Sequence, residues 1–362
     1  AAVNGEIAAA LAGCDAADQA AVDHAMIALD GTPNKGRLGG NAIVATSMAV
    51  LHAAAAASGA PLWRHLAQGR KTRIPLPEIQ IFGGGAHAAR RVDIQDFMVM
   101  CPGAASFAQA LEWTAEVYLA AGAIMKQAGK LQGVADEGGY WPAFRSNEEA
   151  LDTLVEAIRK AGFKGGDDVA FSLDVAASEF GSRGGYTLAL DNRKLDTAAM
   201  IDMLGRWCDA YPIVSIEDPV AEDDAEGFAA FTRAYGDRCQ VIGDDFLVTT
   251  AARVRKAAAD DAATAVLIKP NQAGTVTETL AALDAGKAAN FGTIVSARSG
   301  ETEDTTIVHL AIGWDAGQLK VGSFSRSERM AKWNECLRIE EALGREAVFA
   351  GGGALGFRRK IA

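Results

Sequence analysis

The chain has 362 residues, 49% of them apolar, and a formal net charge of -11, enough length for a large barrel plus a smaller domain, or for two ordinary domains, around a sizeable core. The acidic balance excludes a basic nucleic-acid-binding surface, so an anionic substrate requires local positive charge or a metal ion. Five cysteines (Cys14, Cys101, Cys208, Cys239, Cys336) lack any C-x-x-C pairing, which argues against a zinc site or a disulfide framework and for reduced cytoplasmic thiols.

The first 70 residues read as helices. Asp15–Leu29 carries apolar residues at helical spacing, and Asp30-Gly-Thr-Pro-Asn-Lys-Gly36 breaks it before an Ala-rich run over 41–60. Asn41, His52 and several small residues mark that run as a packed helix rather than a membrane span, and no signal-peptide pattern precedes it. The chain opens on Ala1, so an N-terminal part is expected to be missing. Arg70-Lys-Thr-Arg-Ile-Pro-Leu-Pro77 cannot continue a helix and reads as a linker. The expected division is residues 1–73, the helical remainder of an N-terminal α+β domain, and 74–362, a barrel with the active site.

Residues 78–82 and 94–100 read as strands around the Gly-rich loop that ends at His87, and could form an antiparallel pair. From Ser106 onward helices alternate with apolar strands at 169–174, 213–217, 240–244, 265–269, 293–296 and 319–320. Alternation of this kind means a parallel sheet covered by helices, either a closed barrel or an open sheet. Charged residues end strand after strand (Asp174, Glu217, Asp244, Lys269, Arg298, Lys320), and a ring alone gathers so many C-terminal strand ends around one centre.

Asp174, Glu217 and Asp244 converging in a barrel mouth would repel one another without a cation among them. An all-oxygen donor set selects Mg2+, with Mn2+ as a substitute. Any one of them alone would read as a helix cap or salt-bridge partner. Lys269 and Lys320, close together and near a divalent ion, are each expected to lower the other's proton affinity, which would let Lys269 act as a base on a carbon-bound proton; Lys320 reads equally as a counter-ion. Glu137, on the turn in Asp136-Glu-Gly-Gly139, could protonate a leaving hydroxide or hold a water, although Gly-Gly also makes a plain turn. Arg298 and Ser299 offer donors suited to phosphate, and His87 in its loop reads as functional or structural.

These residues resemble enolase, the phosphopyruvate hydratase family, over essentially the whole chain. The resemblance is carried by Asp30-Gly-Thr-Pro-Asn-Lys, Gly84-Gly-Ala-His87, Asp136-Glu-Gly-Gly139, Leu173-Asp-Val-Ala-Ala-Ser-Glu-Phe180, Ser215-Ile-Glu-Asp-Pro219, Gly243-Asp-Asp245, Arg298-Ser-Gly-Glu-Thr-Glu-Asp304 and Gly322-Ser-Phe-Ser-Arg-Ser-Glu-Arg329. It implies Asp174, Glu217 and Asp244 as Mg2+ ligands, Lys269 as base, Glu137 as acid toward the leaving hydroxyl, Lys320 on the substrate carboxylate, and Arg298 with Ser299 on the phosphate. It also implies a homodimer or higher homo-oligomer, and an α/β fold: a TIM-type barrel with an antiparallel second strand after a truncated, mostly helical N-terminal domain. A Lys base with Mg2+ is the general pattern of the enolase superfamily.

The chain departs from that pattern. Ala297 replaces a His before the phosphate-binding Arg, Asp96 replaces a Glu that assists at the leaving hydroxyl, and the N-terminal strands and Ser-rich loop are absent from this sequence. Arg90 and Arg91 add positive charge near the mouth, unless they are only solvated loop residues. The leading expectation is a Mg2+-dependent dehydration of 2-phospho-D-glycerate, a small anionic phospho-acid, by a cytoplasmic protein with no nucleic-acid or membrane partner. The alternatives are a related enzyme for another 2-phospho or phosphonate acid, and a catalytically weak binding or assembly protein.

Overall fold

The computed structural model describes residues 1–357. Helices α1 (Ala8–Leu11), α2 (Gln19–Asp30), α3 (Gly40–Ser58) and α4 (Leu62–Ala67) precede any strand. α2 starts later than its apolar spacing suggests, because Asp15 and Asp18 bind backbone instead of joining the helix. Asp15 accepts from Ala17 N, and Asp18 caps Ala21 N at 2.9 Å. The Ala-rich α3 is long and apolar enough to cross a membrane by length and composition. Here its Ile43, Ser47, Leu51, Ala54 and Ala55 face is buried, Ser47 Oγ accepts from Val276 N (2.9 Å), and His52 Nε2 lies 2.8 Å from Thr306 Oγ1.

After the linker come β1 (Leu76–Gly83), β2 (Asp96–Met100), α5 (Phe107–Gln127), a hairpin of β3 (Leu131–Val134) and β4 (Tyr140–Pro142), and α6 (Asn147–Lys160). β5 (Ala170–Asp174) is followed by a small antiparallel sheet of β6 (Gly181–Ser182), β7 (Gly185–Leu188) and β8 (Arg193–Asp196). Strands and helices then alternate: α7 (Thr197–Ala210), β9 (Ile213–Glu217), α8 (Ala225–Tyr235), β10 (Gln240–Gly243), α9 (Ala251–Ala259), β11 (Ala265–Ile268), α10 (Pro270–Ala273), α11 (Val276–Ala288), β12 (Gly292–Ser296), α12 (Thr306–Gly313), β13 (Gly317–Gly322) and α13 (Ser327–Leu343).

Eight of these strands close a ring in the order β1, β2, β5, β9, β10, β11, β12, β13, and β13 pairs parallel with β1. β2 is antiparallel to both its neighbours; the other pairings around the ring are parallel. The barrel and its antiparallel second strand are therefore as the sequence led us to expect. Parallel pairing of neighbouring strands sets Asp174 of β5 beside Glu217 of β9 and Ser296 of β12 beside Lys320 of β13, and closure through β13 and β1 brings Lys320 to both acids.

Side chains alternate across each strand, and the inward set divides the barrel interior in two. Ile242, Ala265, Leu267 and Ile294 form an apolar cluster of their own. The remaining wall carries Glu78, Gln80, Ser172, Ser215, Gln240 and Gln318, all fully buried. Gln240 and Gln318 exchange amide hydrogen bonds at 3.0 and 2.8 Å, and Gln240 Nε2 also reaches Ser215 Oγ at 3.0 Å. Truncating Leu267 to Ala removes buried contacts where the barrel wall cannot collapse, so we expect a loss of about 2–5 kcal/mol in unfolding free energy by denaturant titration.

Candidate active site

Each charged strand end reaches the mouth by a local device. Lys269 follows β11 in extended conformation, and Pro270 at the first position of α10 turns the chain away from it. Its N–H donates to Thr249 Oγ1 (2.9 Å), Thr249 Oγ1 donates to Gln272 Oε1 (2.6 Å), and Gln272 Nε2 donates to Asp244 Oδ1 (3.0 Å). The loop closes on itself when Lys269 Nζ meets Asp244 Oδ2 at 2.5 Å. Lys320 Nζ lies 2.8 Å from both Asp174 Oδ2 and Glu217 Oε2, and 3.8 Å from Asp96 Oδ2. All four of these acids are buried.

Electrostatics follow from this packing. Burial and repulsion from Asp174 push the Glu217 carboxyl well above its ordinary value, against the pull of Lys320. Burial acts the same way on Asp244, but the Lys269 ammonium outweighs it and holds Asp244 low. Burial alone would lower Lys269, yet the charges of Asp244 and Glu217 raise it, with Lys320 opposing. The expectation that the two lysines depress one another is thus corrected for Lys269: Lys320 acts in the expected direction and the carboxylates prevail. Lys320 itself is held well above the usual lysine value by Asp174 and Glu217 despite burial.

A second cluster faces this one. His87 Nδ1 lies 3.0 Å from Asp96 Oδ1, and its Nε2 lies 2.9 Å from Ser299 Oγ and 4.0 Å from Glu137 Oε1. Burial disfavours the imidazolium, but Asp96 outweighs burial and raises His87 to about 9. Burial, reinforced by Asp96, raises the Glu137 carboxyl. Glu137 stands on a turn that requires glycine next to it: Gly138 has φ +94°, and a Cβ there would meet Ser325 O at 2.4 Å. Arg298 and Ser299 are exposed at the end of β12, with Arg298 Nη1 on Asn271 Oδ1 (3.1 Å). Ala297, one residue before, is 6% exposed.

The proposed ligand triad is drawn together through cations, not as one compact group. Asp174 and Glu217 share Lys320, and Asp244 pairs with Lys269. Among the described residues, the acids close enough to share one ion are Asp218 with Asp244 and Asp245, and His87 with Asp96 and Glu137. Asp218 accepts the N–H groups of Asp244 (3.0 Å) and Asp245 (2.8 Å), and burial lifts Asp245 to about 6.

Several site residues escaped the sequence reading. Gln80 Nε2 donates to Asp96 Oδ1 while Gly139 N donates to Gln80 Oε1 at 2.8 Å, so one amide fixes both the shortened acid and the Glu137 turn. Gln95 Nε2 reaches Asp174 Oδ2 at 3.0 Å. Glu78, opposite Lys320 in the β1–β13 register, is raised by burial to about 7. A signal existed: Glu78 and Gln80 place polar groups at alternate positions of an apolar strand, which puts them on one face. Arg90, on the loop after His87, pairs with Glu179 at 3.2 Å, both side chains exposed.

A closed α/β barrel whose strand ends carry interleaved acids and ammonium groups defines a barrel enzyme. The family profile described as "Enolase, C-terminal TIM barrel domain" matches residues 71–356, and the one described as "Enolase, N-terminal domain" matches residues 1–66. The chain belongs to the enolase family. Membership supports lyase activity of the enolase type.

Proposed function

We propose that the protein is a Mg2+-dependent carbon-oxygen lyase that converts 2-phospho-D-glycerate to phosphoenolpyruvate. The observation that carries this reading is the ring order, in which Lys269 ends β11 across the barrel from β1 and β2, and it is on those strands that Gln80 holds the Glu137 turn and Asp96 holds His87. A base and an acid on opposite walls suit removal of a carbon-bound proton and departure of a hydroxyl from the adjacent carbon.

Asp174, Glu217 and Asp244 would hold Mg2+, or Mn2+. The donor set fits a hard cation: every donor is a carboxylate oxygen, and Glu217 Oε1 is buried without a hydrogen-bond partner. When bound, the ion supplies positive charge beside the substrate carboxylate, which favours the enolate form. Lys269 takes the proton. Its high proton affinity rests on Asp244 and Glu217, so weakening those pairings frees it to act as a base, since burial and Lys320 both favour the neutral amine. Glu137 gives a proton to the leaving hydroxyl, with Asp96 and His87 beside it. Lys320 orients the carboxylate, and Arg298 with Ser299 the phosphate. Cytoplasmic location and a homo-oligomeric state belong to the same reading; the five unpaired thiols suit a reducing compartment.

Ala297 and the shortened Asp96 favour one competing reading, an enzyme for another 2-phospho or phosphonate acid. Purified protein with Mg2+ and 2-phosphoglycerate decides between them, read by the ultraviolet absorbance of phosphoenolpyruvate and by exchange of the substrate's α proton in deuterated solvent. Exchange without product points to the other substrate, and neither signal would leave a binding protein. We further expect Ala297→His to raise dehydration, by up to the roughly 10²–10⁴-fold that one positioned acid-base group contributes.

A further inference from the structure

α13 carries two buried cations one turn apart, Arg329 (0% exposed) and Lys332 (1% exposed), and nearly all their hydrogen bonds go to main-chain carbonyls. Arg329 Nη1 donates to Arg298 O (2.7 Å) and Val321 O (2.9 Å), and Nη2 donates to Ser299 O (2.6 Å). Lys332 Nζ donates to Thr302 O (2.8 Å) and Glu328 O (3.1 Å), and pairs with Glu301 Oε2 at 3.0 Å. The other oxygen of Glu301 accepts Arg298 N at 2.9 Å. The segment 298–302 is thus gripped at almost every residue from behind.

We infer that Arg329 and Lys332 are positioning residues that hold the 298–302 loop in its anion-binding shape, and that Arg329 couples this loop to the turn bearing Glu137. The inference rests on the assignment of Arg298 and Ser299 to the phosphate.

Burying two cations is costly, and a helix needing only to pack would do as well with apolar side chains. What the charged groups add is direction. With its carbonyls bound to α13, the loop keeps Ser299 Oγ toward His87, 2.9 Å away. The coupling to Glu137 runs through Gly322. At φ +117° this residue has no side chain, and a Cβ would sit 2.5 Å from Glu137 O and 3.0 Å from Arg329 Cδ. Ser323 N donates to Glu137 O at 2.8 Å. The Arg329 stem therefore runs beside the backbone that carries the acid, and its charge is one of those opposing the rise of Glu137.

The test compares Arg329→Met, Arg329→Lys and Lys332→Met with the wild type by hydrogen–deuterium exchange and by kinetics with 2-phosphoglycerate and Mg2+. For Arg329→Met we expect faster amide exchange confined to 298–302. KM should rise about tenfold or more, as loss of charge-assisted hydrogen bonds implies, with a smaller change in kcat. Arg329→Lys recovers part of the KM. Removing the positive charge near Glu137 also moves the alkaline limb of the pH–rate profile upward. Unchanged loop exchange and KM overturn the inference, and so does exchange that rises evenly through β12, β13 and α13. If Arg329→Met fails to fold, Lys332→Met faces the same two criteria. If the wild type does not turn over 2-phosphoglycerate, the functional reading fails, while exchange in 298–302 still decides whether the clamp exists.

Discussion

Lys269→Ala is expected to abolish exchange of the substrate's α proton along with product formation, a loss of roughly 10²–10⁴-fold or more, the contribution of one positioned base. Lys320 is the nearest other amine in chemistry, but it is bound to Asp174 and Glu217 at 2.8 Å each and held well above the usual lysine value. The variant also frees Asp244 from its ammonium partner, leaving Gln272 Nε2 on its other oxygen. Metal affinity should therefore persist, and calorimetric Mg2+ binding separates loss of the base from loss of the ligand set. Normal exchange by the variant would show that another group removes the proton.

The second large effect concerns Glu137→Gln. Dehydration should fall by roughly 10²–10⁴-fold while α-proton exchange continues, because the amide keeps the shape of the acid but cannot deliver a proton. Stability should move the opposite way. Burial and Asp96 raise the Glu137 carboxyl above its unfolded value, so the folded state favours the protonated form. That preference stabilises the fold at low pH and turns into a loss as pH climbs past the unfolded value toward the folded one. Glutamine has no such loss, so the variant should melt at or above the wild-type temperature at pH 8. A variant that melts lower there, or loses exchange with dehydration, contradicts the assignment of Glu137 as the acid.

The two residues also mark how much of the protein was legible beforehand. Lys269 stood out because a charge after an apolar strand is anomalous, and the ring of such charges implied a barrel before any topology was known. The antiparallel β2 was legible from the Gly-rich loop, too short for a crossover helix. What could not be read was charge balance. Whether Lys269 is raised or lowered depends on distances to Asp244, Glu217 and Lys320, residues 25 to 52 positions away in sequence. Alternation could have placed Gln80 on the inner face, but not named its partners: Asp96 and Gly139 meet it only once β2 and the Glu137 turn are folded against β1. Helix starts slipped where Asp15 and Asp18 preferred backbone partners to helical ones.

The divided barrel interior has a consequence for how this site can change. On the side of Ile242, Ala265, Leu267 and Ile294, neighbours touch only by shape, so apolar replacements of similar volume are tolerated one at a time. Among Gln240, Gln318 and Ser215, the two amides each donate to and accept from the other and Ser215 Oγ accepts from Gln240, so a single apolar replacement strands a buried partner at about 1–3 kcal/mol. Drift toward a new substrate is therefore steered. Lys269 stands above a wall that can be remodelled stepwise, whereas the floor beneath Lys320 must be rewritten in concert or not at all.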